Sequence, residues 1–321
     1  LDLQLTASQK INERHQIKAG ASYVINNYQQ PDRKIIEGNR IDPTTGATLS
    51  DGNIAMRYGG NNIIRQYLDV DSRFYGSAFA EYQLSLGEKG NRKDFPIQIA
   101  LGYNGFSDFR KTSYRFIFGR TANSSAPFVI NIDTPQDVFN ASLRNGDLYY
   151  QEGSDVSQFY SSFYQIINGG YANVNLKPND SWDILLGARY ENDMTLIRYS
   201  EQSAENKINL DKNKNFFLPS LSVKKALNNK NNLRFSFSKT VTRPILIETM
   251  PITYINPDNV NIVGNPEIKN SENYNFDLKW EYFPTNKEMF AVNLFAKRID
   301  NAIERSLVAS GNATGSTITF F

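Results

Sequence analysis

Residues 273–284 read NYNFDLKWEYFP. Every second residue is large and apolar: Tyr274, Phe276, Leu278, Trp280 and Tyr282. Between them stand Asn273, Asn275, Asp277, Lys279 and Glu281, all polar. A period of two belongs to a β-strand, whose successive side chains point to opposite faces. The chain as a whole is hydrophilic, with a mean hydropathy of −0.49. The apolar face of this stretch is therefore a local pattern and not a property of the whole composition.

The pattern recurs in WDILLGARY (182–190), RFYGSAFAEYQLSL (73–86), LRFSFSKT (233–240) and KEMFAVNLFAKRI (287–299). Short polar turns near 12–15, 87–94, 177–181, 228–232 and 284–287 alternate with long connections near 29–66, 119–156, 200–214, 243–271 and 304–313. Tight turns at one end and long loops at the other describe an antiparallel up-and-down barrel with one elaborated rim. A β-sandwich mixes its connections, and a propeller would repeat every ~40–50 residues. Several strands exceed the ~9–11 residues that cross a bilayer, so they project beyond it. Tyr190, Tyr199, Tyr282 and Phe283 stand near strand ends, as interfacial aromatic girdles do. The expected fold is all-β, a transmembrane barrel with its apolar face on lipid and its polar face on water. Closure lets every backbone group in the hydrocarbon find a partner. Ten full strands and a partial eleventh over Gly315–Phe321 are expected. Residues 1–321 then form one barrel domain belonging to a larger barrel.

Composition narrows the chemistry. With 321 residues and a net charge of +2, nothing draws the chain to nucleic acid. Cysteine is absent, which excludes a disulfide framework and thiolate catalysis. No run approaches the ~20 apolar residues of a membrane helix. His15 is the only histidine and lies in a short turn, so neither a histidine metal site nor a histidine-dependent triad is expected. Asp42 and Asp51 lie among Gly and Asn residues but lack EF-hand spacing. No catalytic residue, metal or cofactor is assigned, and a carboxylate hydrolase is the weakest of the readings.

The C-terminal half carries more specific motifs. These are GARYEN (187–192), FFLPSLSVKKAL (216–227), LRFSFSKTVTRP (233–244), GNPEIKNSENYNFDLKWEYFP (264–284) and MFAVNLFAKRIDNAIE (289–304). Together they resemble the barrel of TonB-dependent outer-membrane receptors of the Bacteroidetes type, over about 170–305. Ala302 stands where that family often has proline. The resemblance implies a 22-stranded barrel closed by a plug and energised by the inner-membrane TonB complex through that plug. Neither plug nor TonB box is found in residues 1–321, so about half a barrel is expected. The implied setting is the bacterial outer membrane, with lipids, a small-molecule, glycan or peptide substrate, and a surface lipoprotein as partners. A passive porin is the alternative.

Arg189, Glu191, Arg234, Asp277 and Lys279 fall on polar faces and are expected to face the lumen. Substrate contact is expected in the two longest loops, through Arg57 and Tyr58 in the first and Asp147, Tyr149 and Tyr150 in the second. Pro244 should end a strand, and Gly264-Asn265-Pro266 reads as a turn in which glycine supplies a positive φ.

Overall fold

The structure is a computed structural model that describes residues 1–56, 63–90, 94–122, 128–152, 158–201, 207–250, 253–255, 261–309 and 316–321. The first half carries β1 (Asp2–Lys10), β2 (His15–Ile36), β3 (Asn53–Met56), β4 (Ile63–Leu86), β5 (Ile97–Thr121), β6 (Phe128–Asn131), helix α1 (Pro135–Asn145), β7 (Leu148–Glu152) and β8 (Gln158–Leu176). The second half carries β9 (Trp182–Glu201), β10 (Lys207–Asn228), β11 (Asn231–Thr242), helix α2 (Leu246–Thr249), β12 (Thr253–Ile255) and β13 (Asn261–Val263). It ends with β14 (Ser271–Tyr282), β15 (Phe290–Asp300), β16 (Arg305–Ala309) and β17 (Ser316–Phe320).

One antiparallel sheet dominates, with the order β1-β2-β4-β5-β8-β9-β10-β11-β14-β15 and β7 added beside β5, eleven strands in all. β1 and β15 are its two edges. Neighbours in the sheet are mostly neighbours in sequence, as the turn pattern required. Asparagine shapes three of the short turns. Asn12 Oδ1 accepts from the Arg14 and His15 amides, Asn179 Oδ1 from Ser181, and Asn228 Oδ1 from Lys230. An Asx turn of this kind substitutes a side chain for the backbone acceptor.

Register carries the alternation of each strand across the whole sheet. Leu84 pairs with Ile99, then Val174, Leu186, Leu221, Phe237 and Phe276 follow on successive strands. All point to one face, where Leu101, Leu186, Tyr190, Leu278, Trp280 and Leu294 are exposed. On β4 this apolar band ends at Phe74, beyond which come Asp71 and Asp69. On β14 its last aliphatic or phenyl position is Phe276, in the row of Leu84. The band's limit stays in one row from β4 to β9 and then slips about ten residues, about 33 Å, between β9 and β14.

An extra residue, Arg73, interrupts β4. Ser72 pairs with Arg110 and Phe74 with Phe109, so two residues of β4 step past one of β5. Below this bulge the even residues of β4 face the apolar side; above it, the odd ones do.

Four expectations change. The 200–214 connection shrinks to 202–206, because β9 and β10 stay paired from Ser200 and Lys207 downward. There the outer face is polar, with Arg198 opposite Asn209, while Ile197, Tyr199 and Leu210 turn to the covered inner side. Residues 316–320 do not join the large sheet; β17 pairs with β16 and, in parallel, with β13 in a four-stranded sheet. The 119–156 connection contains a helix, α1, opened by Pro135 and closed by Gly146 at φ 78. Gly264 is not at positive φ. A Cβ there would lie 2.3 Å from the Met250 carbonyl oxygen, so close approach of two backbones is what demands glycine.

Candidate functional site: the polar face and its rim

The face opposite the apolar band is polar and ion-paired. Lys18 lies 3.7 Å from Glu81, and Tyr171 Oη donates to Glu81 at 2.8 Å. Arg189 Nε donates to Glu191 at 2.6 Å. Arg243, just past β11, forks between Glu191 and Asp193, with its Nε 2.5 Å from Asp193. Glu191 and Asp193 are buried, and Gln165 completes Asp193 at 3.2 Å. The series runs from β2 to β11. Large inward side chains find room by lying over glycines of the adjacent strand: Phe79 over Gly20, Tyr171 over Gly102 and Arg189 over Gly169.

All five residues assigned to the polar face share it. Arg189 and Glu191 belong to the network just described. Arg234 pairs across strands with Lys279, and both reach Glu281, at 3.3 and 2.9 Å. Asp277 lies opposite Ser236 in the same ladder. The sequence reading missed Arg243, whose partners lie fifty residues earlier, and Tyr171, Glu81 and Lys18, whose contact depends on strand order.

Towards the loop end this face becomes apolar and covered. Ile64, Tyr114, Phe116, Phe163, Ile197 and Tyr199 pack with Met250, and Leu246 of α2 joins them. Gln66 is fully buried and donates to Tyr114 Oη at 2.7 Å. Lys212 Nζ donates to the Ile268 carbonyl at 3.1 Å, and Asn265 N to the Glu248 carbonyl at 2.7 Å. The connection from β11 to β14 therefore folds over the polar side of the sheet.

The first two long connections pack together on the other side. β3 pairs with β6, and Met56, Ile130, Phe139 and Leu148 form a second small core. Beside it a cavity of about 100 Å³ is lined by Lys34, Arg65, Gln136, Asn140 and Tyr150. Arg65 donates twice to Asp32, at 2.9 and 2.7 Å, which holds the Asp32 carboxyl below its ordinary range. Arg65 also lies over the Tyr150 ring at 5.2 Å, and burial pushes that phenol upward.

The loop candidates are not brought together. Arg57 and Tyr58 lie outside the described residues. Asp147 follows Gly146 at the end of α1, where its amide meets the Ser142 carbonyl and its carbonyl meets the Ala122 amide. Tyr149 and Tyr150 are neighbours on β7 and point to opposite faces. Tyr149 is exposed, whereas Tyr150 packs against the rim core.

These features define the wall of a membrane-spanning antiparallel barrel. A family model described as the outer membrane protein beta-barrel family matches residues 128–321, more than half of the chain. The chain belongs to this family, and its place is the bacterial outer membrane. Among solved structures it is similar to Pseudomonas aeruginosa FpvA, determined with a heterologous ferric pyoverdine, at 12% identity and TM-score 0.55 over 99% of this chain and 36% of FpvA. It is also similar to BauA, the ferric preacinetobactin receptor of Acinetobacter baumannii, at 13% identity and TM-score 0.47, covering 100% and 40%. The Serratia marcescens hemophore receptor HasR gives 11% identity and TM-score 0.42, covering 99% and 58%. The chain thus spans between 36% and 58% of the length of these proteins. At such identity the likeness to FpvA concerns the fold alone. No curated protein matches the chain.

Proposed function

We propose that residues 1–321 form one barrel domain, about half the wall of a 22-stranded TonB-dependent uptake receptor of the Bacteroidetes type. In this reading the plug and the remaining strands belong to the rest of the protein. The polar face, with Arg189, Glu191, Arg234, Asp277 and Lys279, lines the lumen. Substrate meets the receptor at the loop end, where Tyr149 and, in the adjoining loop, Arg57 and Tyr58 are the candidate contacts; Asp147 and Tyr150 then serve the rim's own structure. The carrying observation is the β11–β14 connection folded over the polar face, with Met250 in an apolar cluster. A passive channel keeps its inner wall wet; a receptor that transports only when energised keeps it closed. FpvA is described with a ferric pyoverdine, and a metal chelate of that kind is the first cargo to try. A surface lipoprotein partner would instead indicate a glycan or peptide.

The test uses the full-length protein in planar bilayers and in cells. A receptor gives no steady conductance, and its uptake stops when the proton gradient is collapsed. Open conductance with gradient-independent uptake would establish the porin instead.

A further inference from the structure

The apolar band ends abruptly on β4, β5, β8 and β9. Phe74, Phe109, Tyr164 and Leu196 form one cross-strand row, with the Phe109 and Tyr164 rings stacked at 4.4 Å. The next outward-facing row is Asp71, Lys111, Ser162 and Arg198. One step changes the surface from hydrocarbon-compatible to charged. Above that line a groove of about 510 Å³ is lined by Asp69, Arg73, Lys111, Ser162, Arg198 and Ser200, among others. A second groove of about 370 Å³ adjoins it across Tyr160 and adds Arg115. Arg73 is tied to Asp71 at 2.6 Å. Lys111 and Arg198 are exposed and have no ion-pair partner among the described residues.

We infer that Lys111 and Arg198, with Ser162 between them, bind the phosphorylated headgroup of an outer-leaflet lipid. In membrane barrels the longer loops are extracellular, so this line meets the outer leaflet where headgroups begin. Lys111 and Arg198 stand two strands apart, about 10 Å, and their long side chains converge on one phosphate between them. Ser162 supplies a hydroxyl donor, and Tyr160 flanks the acyl–headgroup junction. Asp69 and Asp71 oppose this anion, and four cations across the two grooves outweigh them. The inference needs only the outer-membrane location, and it stands whether the barrel is a receptor or a porin.

The experiment titrates the full-length protein, in detergent micelles, with short-chain phosphatidic acid and follows binding by native mass spectrometry. Each cation near a charged headgroup is worth about fivefold in affinity. The double variant Lys111→Ala/Arg198→Ala should therefore bind about 25-fold more weakly, while Lys111→Arg/Arg198→Lys stays within about threefold. Phosphatidylcholine should bind weakly to all three. Heat-modifiable gel mobility confirms that each is folded. Equal binding by the double-alanine variant overturns the assignment. Displacement of the lipid by equimolar inorganic phosphate overturns the lipid as ligand.

Discussion

Replacing Arg243 with methionine tests the tie between the rim and the sheet. Removing one partner of a buried ion pair costs roughly 3–5 kcal/mol, because the other charge is left uncompensated. Here two carboxylates lose a partner, yet neither is abandoned. Glu191 keeps Arg189 at 2.6 Å, and Asp193 keeps Gln165 at 3.2 Å. The Arg243 side chain is also 23% exposed, so water screens part of the pairing. The expected loss is therefore about 2–3 kcal/mol. Equilibrium urea unfolding in detergent micelles, followed through Trp182 and Trp280, measures it. Protease cleavage within 243–270 should rise in parallel. Arg243→Lys should recover only part, because an ammonium cannot fork to two carboxylates as a guanidinium does. Arg243→Met combined with Asp193→Asn, which leaves the Arg189–Glu191 pair intact, should recover about half of the loss. A single-variant loss below about 0.5 kcal/mol, with unchanged proteolysis, would refute the reasoning.

Other perturbations address other parts. Leu278→Arg places a charge on the lipid side and should cost about 2–4 kcal/mol of folding into vesicles, whereas Asp277→Arg, one residue away, should cost under about 1; equal costs would reverse the assignment of faces. Gly264→Ala drives a methyl into the Met250 carbonyl and should destabilise the β11–β14 connection by about 1–3 kcal/mol, read as faster cleavage there. Asp32 has a depressed pKa, so its bond to Arg65 contributes fully above the ordinary carboxylate value near 3.8 and is lost as pH falls through the depressed one. Hydrogen exchange in α1 should therefore quicken as pH falls below about 4 once corrected for intrinsic rates, and Asp32→Asn should flatten that response.

The wall of the fold was legible because its signal is local. Tyr274 and Asn275 already occupy opposite faces of an extended chain, and register merely repeats that choice on the next strand. All five polar-face residues followed from alternation for the same reason. Helix α1 was missed although Pro135 and Gly146 bracket it, because loop length outweighed those two end signals. Arg243 stood in a recognised motif beside Pro244, but nothing nearby marks Glu191 and Asp193 as its partners. The glycines beneath Phe79, Tyr171 and Arg189 make sense only when the neighbouring strand is known. The parallel pairing of β13 with β17 joins segments separated by the whole of β14 and β15, which no short pattern encodes.

The bulge at Arg73 lets one strand serve two environments. If β4 alternated without interruption, Ile64, Leu68 and Val70 would continue the greasy stripe of Phe74 out into extracellular water. The inserted residue acts as a phase shifter and sends that stripe to the opposite side, where Ile64 and Leu68 meet the cluster around Met250. Deleting this single residue would therefore leave the outer third of β4 facing as it does, because Ser72 and Phe74 already occupy consecutive rows of β5. What deletion removes is the local kink and the Arg73 guanidinium beside Asp71. The inversion needs Arg73 kept and paired in step, which would turn Asp69 and Asp71 to the cavity side and take Ile64 and Leu68 away from α2.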